Sequence, residues 1–362
     1  MSFTTEQLLN IRTVISHAGC PDGIASARLV KHERPDVEVR FVVHNSEEHR
    51  ALRPEPGMLF VDFTPFADQS DEPSAEEVAE RVKPFVEAGA LVLDHHKHGR
   101  LVVEAFGDNG VFADESSGSA GASLAFKEVF FPLWEQRALT RMIWHDSQAI
   151  AREEMTEQLE AAREFARLVS IRDTWQRQSP DWVLASTISA ALRAFPEAYW
   201  MARRGPLKLT DTEMLVGHAR FQDEADNLIH QEKEISLFKI SRVSRPTHLE
   251  QIVKVAFINS RRAEDLADYL REKGAANILV GYQFRGASDI SLSLRSDEYM
   301  DVGELAKSLG GGGHTRAAGC TLSIHSPLLK GEPPYVAYIE GEYEHPAWRL
   351  LGDAIIKAIK WP

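Results

Sequence analysis

Two periodicities alternate along the N-terminal part of the chain, and together they leave few folds open. Five short β-branched or aromatic runs, TVISH, VEVRFVVHN, GMLFVDFTP, GALVLDHH and GVFAD, are bounded by turn residues and predict strands. Between them the spacing changes. Val78, Val82, Phe85 and Val86 recur at i, i+4, i+7 and i+8, and Ala122, Ala125, Phe126, Val129 and Phe130 repeat a helical face after SSGSAG. Strand alternating with helix requires a parallel sheet covered on both faces, so the fold class expected is α/β.

The chemistry-bearing residues fall where such a sheet would use them. His17, Asp62 and the triplet Asp94, His95 and His96 stand at the C-terminal ends of different predicted strands, with Asp22 in the loop after the first. Ligands of open parallel sheets bind outside those ends. Taken singly, an aspartate there is a helix N-cap, and a histidine is a hydrogen-bonded structural residue. Carboxylates gathered on one edge repel one another unless a cation lies among them, and the convergence therefore predicts a metal site.

Composition narrows the partners. At 362 residues and 43% hydrophobic content, the chain can build two ordinary domains with separate cores. A net charge of −13, from 54 acidic and 41 basic residues, argues against wrapping long duplex nucleic acid and leaves room for a small anionic substrate in one cleft. The start MSFTTEQLLNIRTV lacks the pattern of a signal peptide, and no apolar run approaches the ~20 residues of a membrane span. A soluble, cytoplasmic protein without a membrane partner is expected. Cys20 and Cys320 lie far apart in sequence and outside any CxxC spacing, which predicts reduced thiols.

The C-terminal part has a different character. Residues 211–238 place Met214, Phe221, Leu228 and Ile235 at heptad spacing, but His218 and Glu232 interrupt the seam, so a connecting helix packed on one domain is expected rather than a coiled coil. SRPTH at 244–248 punctuates the chain. IVKVAFI, NILVGYQF and DISLSLRS then predict strands, and Ala263, Leu266, Ala267 and Leu270 a helix face. The expected division is a domain over 1–200, a helical connector over 201–249 and a smaller mixed α/β domain over 250–362. The segment AWRLLGDAIIKAIKW predicts a packed final helix, with a homodimer contact as the alternative. GGGGH follows the helical VGELAKSL. One glycine would cap that helix, and the others let backbone amides approach a phosphate or base, with His314 and Arg316 as added donors.

Several separated motifs together resemble the DHH phosphoesterases, a family of RecJ-like nucleases, oligoribonucleases, cyclic-dinucleotide phosphodiesterases and a class of pyrophosphatases. They are SHAGCPDGIASA (16–27), FVDFTP (60–65), VLDHHKHG (92–99), SSGSAGASLAF (116–126), SIRDTW (170–175), SLRS (293–296) and GGGGHTRAAG (310–319), and they span nearly the whole chain. The resemblance implies a parallel-sheet DHH domain joined by the helical connector to a smaller mixed α/β DHH-associated domain. It also implies paired Mn²⁺ ions, with Mg²⁺ as the alternative, bridged by Asp62 and held further by His17, Asp22, His95 and Asp173. Mixed imidazole and carboxylate ligation suits Mn²⁺. Asp94 would orient its neighbours and His96 would contact the scissile phosphate. In the second domain Arg295, Gly311, Gly312, Gly313, His314 and Arg316 would bind the rest of the substrate.

The activity so implied is hydrolysis of short single-stranded oligonucleotides or dinucleotides. A nucleotide phosphatase, a pyrophosphatase-like phosphohydrolase and a non-catalytic module that senses metal or nucleotide are the alternatives. The chain departs from the family at one point. Relatives commonly carry D-x-D-G in the first motif, where this sequence has Cys20-Pro21-Asp22-Gly23. Either the Cys20 thiol joins the metal shell or it packs beneath the loop while water completes the shell. The preference of Mn²⁺ for oxygen and imidazole argues for packing.

Overall fold

The structure is a computed structural model describing residues 3–44, 46–66, 74–96, 99–114, 117–144, 148–243, 250–259, 264–285, 289–296, 300–313, 315–323, 338–340, 352, 355 and 358. The chain divides into two compact units, Met1–Asp223 and Glu224–Pro362.

In the first unit β1 (Thr13–His17), β2 (Glu38–Val42), β3 (Met58–Val61), β4 (Leu91–Asp94) and β5 (Gly110–Phe112) form a wholly parallel sheet in the order β2-β1-β3-β4-β5. The α/β expectation is met. The helices are α1 (Thr5–Leu9), α2 (Pro21–Glu33), α3 (Glu47–Ala51), α4 (Ala75–Glu87), α5 (Arg100–Ala105), α6 (Gly121–Ala125), α7 (Phe131–Trp144), α8 (Gln148–Asp173), α9 (Trp182–Ala194), α10 (Glu197–Ala202) and α11 (Asp211–Glu232), the last crossing the boundary between the units.

Successive strand residues point to opposite faces, so each strand feeds two cores. Val14, Leu59, Val61, Leu91 and Leu93 join Ala27 and Val30 of α2, while Ile15, Phe60 and Val92 join Val78, Val82 and Phe85 of α4. Burial on both faces is why these strands read as unbroken apolar runs. Helix α4 begins where its sequence says it should, since Ser74 accepts from the Glu77 N–H and the Glu77 carboxylate accepts from the Ser74 N–H.

The expected helical face from Ala122 to Phe130 is divided in the structure. A single π-helical turn, Phe126–Phe130, separates α6 from α7. Ala122, Ala125 and Phe130 pack in one core, and Leu124, Val129 and Leu133 pack in another.

The second unit holds a seven-stranded sheet in the order β10-β11-β9-β8-β7-β6-β12. Its strands are β6 (Ser236–Val243), β7 (Glu250–Ile258), β8 (Ile278–Arg285), β9 (Asp289–Ser296), β10 (Gly312–Gly313), β11 (Ala317–Ser323) and β12 (Tyr338–Glu340), with helices α12 (Glu264–Glu272) and α13 (Val302–Ser308). Only the β7–β8 pair is parallel among these strands. Phe238, Val255, Val280 and Leu292 pack on Val302 and Leu305 of α13, while Ala256 and Leu279 pack on Leu266 and Leu270 of α12.

One sequence reading needs correction here. The helical pattern drawn to residue 238 ends at Glu232, and β6 starts at Ser236. Phe238 and Ile240 are fully buried while Leu237, the residue before them, is exposed, a period of two that overrides the heptad. Of the C-terminal AWRLLGDAIIKAIKW, only Gly352, Ile355 and Ala358 are described, with Ile355 fully buried in the second unit's core. SRPTH at 244–248 and His314 lie outside the described residues.

Candidate metal centre

The strand order reverses direction between β1 and β3, which is the switch point where open α/β sheets bind ligands. His17 is the last residue of β1, and Asp62 directly follows β3. Asp94 ends β4, and His95 and His96 follow it. Two further aspartates come from helices. Asp22 lies in the first turn of α2 behind Pro21, and Asp173 is the last residue of α8.

These residues meet. The ligand atoms of Asp62, Asp94, His95 and His96 lie within 4.8 Å of one another, as do those of His17, Cys20 and Asp62, and those of Asp22, His95 and Asp173. Nε2 of His95 stands 3.2 Å from Asp62 Oδ1 and 3.5 Å from both Asp22 Oδ2 and Asp173 Oδ2. A single N–H cannot serve three carboxylates. Asp22, Asp62, Asp94 and His95 are all buried, whereas the Asp173 side chain retains a quarter of its exposure.

Each side chain is held from behind. The Asp22 carboxylate accepts from the Gly121 N–H at 2.6 Å and the Ala122 N–H at 2.8 Å, the first amides of α6. Asp94 Oδ1 accepts from His96 Nδ1 at 2.7 Å and from the His95 and His96 backbone amides at 2.9 and 3.3 Å. The loop between β1 and α2 is fixed by Ser16 Oγ, which donates to the Gly23 carbonyl at 2.8 Å. The Glu197 carboxylate accepts from the Gly19 N–H at 2.7 Å. Asp62 has φ of 54°, a left-handed conformation that aspartate tolerates better than most residues.

Electrostatics sort these groups into two kinds. Burial, aided by Asp62, lifts the Asp22 carboxyl to about 7. Burial, with His96 and His44 adding to it, lowers His17 to about 4, so its imidazole is neutral and its lone pairs available at neutral pH. For His95, burial is outweighed by the hydrogen bond to Asp62 and the charge of Asp22, which raise it to about 9. His96 is likewise raised to about 10 against its burial, chiefly by its bond to Asp94. Burial and the surrounding Asp62, Asp173 and Asp22 push the Cys20 thiol well above its ordinary range.

The donor set fits divalent ions. Asp62 Oδ2 and His95 Nδ1 are buried without a hydrogen-bond partner, although buried polar atoms are ordinarily satisfied. Asp173 adds a carboxylate at the negative end of a 26-residue helix, where an anion is disfavoured unless a cation is near.

In the second unit Arg295 is half-buried on β9, and its Nη1 donates to Leu294 O at 2.9 Å and Ser293 Oγ at 3.3 Å. The glycine run divides its work. Gly310, with φ of 79°, closes α13, and the next amide, Gly311 N–H, donates back to Ala306 O at 2.8 Å. Gly311 packs so closely that a methyl group would strike Cys320 and the Gly319 carbonyl. Gly312 faces open space and Gly313 pairs with Ala318 across β10 and β11. Arg316 is exposed.

Sequence reasoning did not single out two supports of the centre. The grip of Gly121 and Ala122 on Asp22 has a weak signal in the small residues of SSGSAG. Glu197 has none, since it meets Gly19 across 178 positions of sequence.

Residues 239–326 match the family of the DHHA1 domain. None of the curated proteins matches the chain in sequence. Among solved structures it is similar to an uncharacterized protein from Helicobacter pylori G27, at 14% identity over 96% of this chain and 98% of that one, with a TM-score of 0.34. The pGpG-specific phosphodiesterase PggH from Vibrio is similar at 13% identity over 87% and 94%, with a TM-score of 0.38. RecJ from Thermus thermophilus, in complex with Mn²⁺, is similar at 18% identity over 88% of this chain and 50% of that one, with a TM-score of 0.44. A DHHA1 domain thus follows, in the same chain, a parallel-sheet domain that carries the DHH triplet on its rim. The family shown for this chain is that of the DHHA1 domain, over residues 239–326. No helix among the described residues is long and apolar enough to cross a membrane.

Proposed function

We propose that the protein is a Mn²⁺-dependent phosphodiesterase that hydrolyses short single-stranded oligonucleotides or dinucleotides. The observation that carries this reading is the convergence of Asp22, Asp62 and Asp173 on one imidazole nitrogen of His95 at 3.2 to 3.5 Å, with a buried Asp62 oxygen left without a partner. In this reading His17, Asp22, Asp62, His95 and Asp173 hold paired ions, Asp62 being shared. Divalent ions held there supply Lewis acidity toward a phosphoryl oxygen and toward the attacking water.

The remaining groups act on the substrate itself. His96, kept protonated by Asp94, presents a positive hydrogen-bond donor to a phosphate, and its side chain is about 29% exposed, enough to be reached. Asp94 is buried and bonded to His96 Nδ1, so it fixes the ring orientation. Arg295 and Arg316 offer donors and Gly312 open backbone for a distal phosphate or base, with Gly311 bracing the turn and His314, from the sequence, as a further donor. The mixed negative surface suits a short substrate better than a long polyanion.

Incubation with Mn²⁺ and a ladder of RNA and DNA oligonucleotides, alongside pyrophosphate, nucleoside bisphosphates and cyclic dinucleotides, tests the reading directly. Mononucleotide release from the shortest chains is expected. Asp62→Asn should lower turnover by orders of magnitude while the fold is retained, because the shared anion is lost and asparagine keeps the left-handed backbone. Cleavage of pyrophosphate alone, or unimpaired turnover by Asp62→Asn, would overturn it.

A further inference from the structure

Two of the three groups of ligand atoms at the centre differ in chemical hardness. Asp22, His95 and Asp173 offer two carboxylates and an imidazole, whereas His17, Cys20 and Asp62 offer an imidazole, a thiol and a carboxylate. In each group the atoms lie within 4.8 Å of one another. Carboxylate-rich sites suit Mn²⁺ and Mg²⁺, and sites with a thiolate suit Zn²⁺ and related ions.

Helix capping alone would not select a cysteine at position 20, because a thiol is a weaker cap than a hydroxyl or carboxylate. Cys20 is the N-cap of α2, with φ of −88° and ψ of 126°, and its sulfur faces the Gly23 N–H without making a full capping hydrogen bond. A helix that needed only a cap would be served by Ser, Thr, Asp or Asn. The residue as a whole is half-buried, but its thiol is enclosed beside Asp62, Asp173 and Asp22 rather than in an apolar core. Its sulfur instead shares a 4.8 Å cluster with His17 and Asp62, and Asp62, 1% exposed, keeps Oδ2 without a hydrogen-bond partner. Three protein ligands with a position left for water or substrate is the usual arrangement of a catalytic zinc site.

We propose that the centre is heteronuclear, with His17, Cys20 and Asp62 holding a thiophilic divalent ion of the Zn²⁺ class and Asp22, His95, Asp173 and the shared Asp62 holding Mn²⁺ or Mg²⁺. The inference rests on the reading that the centre binds paired ions. It replaces the packing role for Cys20 that the sequence alone favoured. A chain with aspartate at this position would present two oxygen-rich sites, so the cysteine converts one of a matched pair into a site of different metal preference.

Cobalt makes the distinction visible, because thiolate ligation of Co²⁺ produces a near-ultraviolet charge-transfer absorption that carboxylate and imidazole ligation do not. The metal-free full-length protein is titrated with Co²⁺ and, in separate experiments, with Zn²⁺ and with Mn²⁺, and the number and affinity of bound ions are measured for each. The wild type and Cys320→Ser should show the absorption, and should bind Mn²⁺ tightly at one position and weakly at the other. Cys20→Ser and Cys20→Asp should lose the absorption. The serine variant should bind Zn²⁺ at least about tenfold more weakly, given that even groups that only hydrogen-bond a ligand change affinity by 10- to 100-fold. The aspartate variant should take up Mn²⁺ at both positions. Binding of paired Co²⁺ without the absorption, or an absorption unchanged in Cys20→Ser, would overturn the heteronuclear assignment and leave the phosphodiesterase reading standing. Failure to bind any divalent ion would overturn both.

Discussion

Gly121 is the position where a single methyl group should do most damage to the centre. A Cβ there would lie 2.7 Å from Asp22 Oδ2, 2.7 Å from Asp62 Cβ and 3.0 Å from Ser26 Oγ. Ordinary van der Waals contact begins near 3.4 Å, so both aspartates would have to recede by about 0.7 Å. Neither is free to do so, since Asp22 is fully buried and bonded to the Gly121 and Ala122 amides, and Asp62 is fixed at the strand end. Overpacking of this kind costs about 1–3 kcal/mol, against which the helix preference of alanine over glycine returns at most about 1 kcal/mol. The unfolding midpoint of Gly121→Ala should therefore fall only modestly, by roughly 2–4 °C for each net kcal/mol. Function should suffer more, because a 1 Å misplacement of reacting groups costs about 10²-fold in rate. Hydrolysis of a generic aryl phosphodiester with Mn²⁺, Mn²⁺ titration calorimetry and a thermal melt of the same preparation separate these effects. A 10- to 100-fold loss of turnover with weakened Mn²⁺ binding is expected. Wild-type turnover and Mn²⁺ affinity in this variant would refute the argument that the N-terminus of α6 is fitted to the two aspartates.

Two other perturbations probe supports outside the ligand set. Glu213 is buried and accepts from Thr210 N–H at 2.6 Å, Tyr199 Oη at 2.7 Å and Arg203 Nε at 2.8 Å; burial alone would raise its carboxyl, and these partners hold it low instead. A depressed folded pKa gives stability that is full above the unfolded value of about 4.3 and is lost as pH falls through the folded value. Urea midpoints measured from pH 7 down to pH 3 should thus decline more steeply in the wild type than in Glu213→Gln, and equal slopes would rule out this contribution. Glu197→Ala removes the acceptor for the Gly19 N–H in the loop bearing His17 and Cys20, so calorimetry should register weaker metal binding, by about fivefold for a net loss near 1 kcal/mol. Glu197→Gln should recover most of it, and an alanine variant with unchanged affinity would mean that the loop holds its shape unaided.

The rim of the sheet was legible because strand ends announce themselves locally. TVISH, FVD and LVLDHH each join an apolar run to a polar terminus, and a parallel sheet places such termini on one edge. Asp173 could not be placed by the same logic, since it ends a helix of 26 residues whose contact with His95 depends on tertiary packing. The end of α11 was misplaced for a related reason. Ile235 satisfies the heptad begun by Met214, yet the two-residue alternation of Phe238 and Ile240 starts three residues later, and a helical pattern cannot report where a competing strand takes over. Short β10 was hidden by glycines, which carry no side-chain periodicity, so the run read as a helix cap followed by amides free to approach a ligand although half of it pairs with β11.

The π-helical turn at Phe126–Phe130 makes the helix around it a component with two phases. It accommodates one residue more than the α-helical turn it replaces. The count is visible in the packing, where Leu124 and Val129 share one core and Ala125 and Phe130 another, each pair five positions apart. Upstream of the turn, rotation about the helix axis is set by the amides of Gly121 and Ala122 on Asp22; downstream it is set by burial of Leu133. Deleting one residue between 126 and 130 would restore regular backbone bonding yet turn one half against the other by about 100°. The shortened helix could then seat Asp22 or bury Leu133, but not both, and the local regularity gained would be lost in whichever contact gave way.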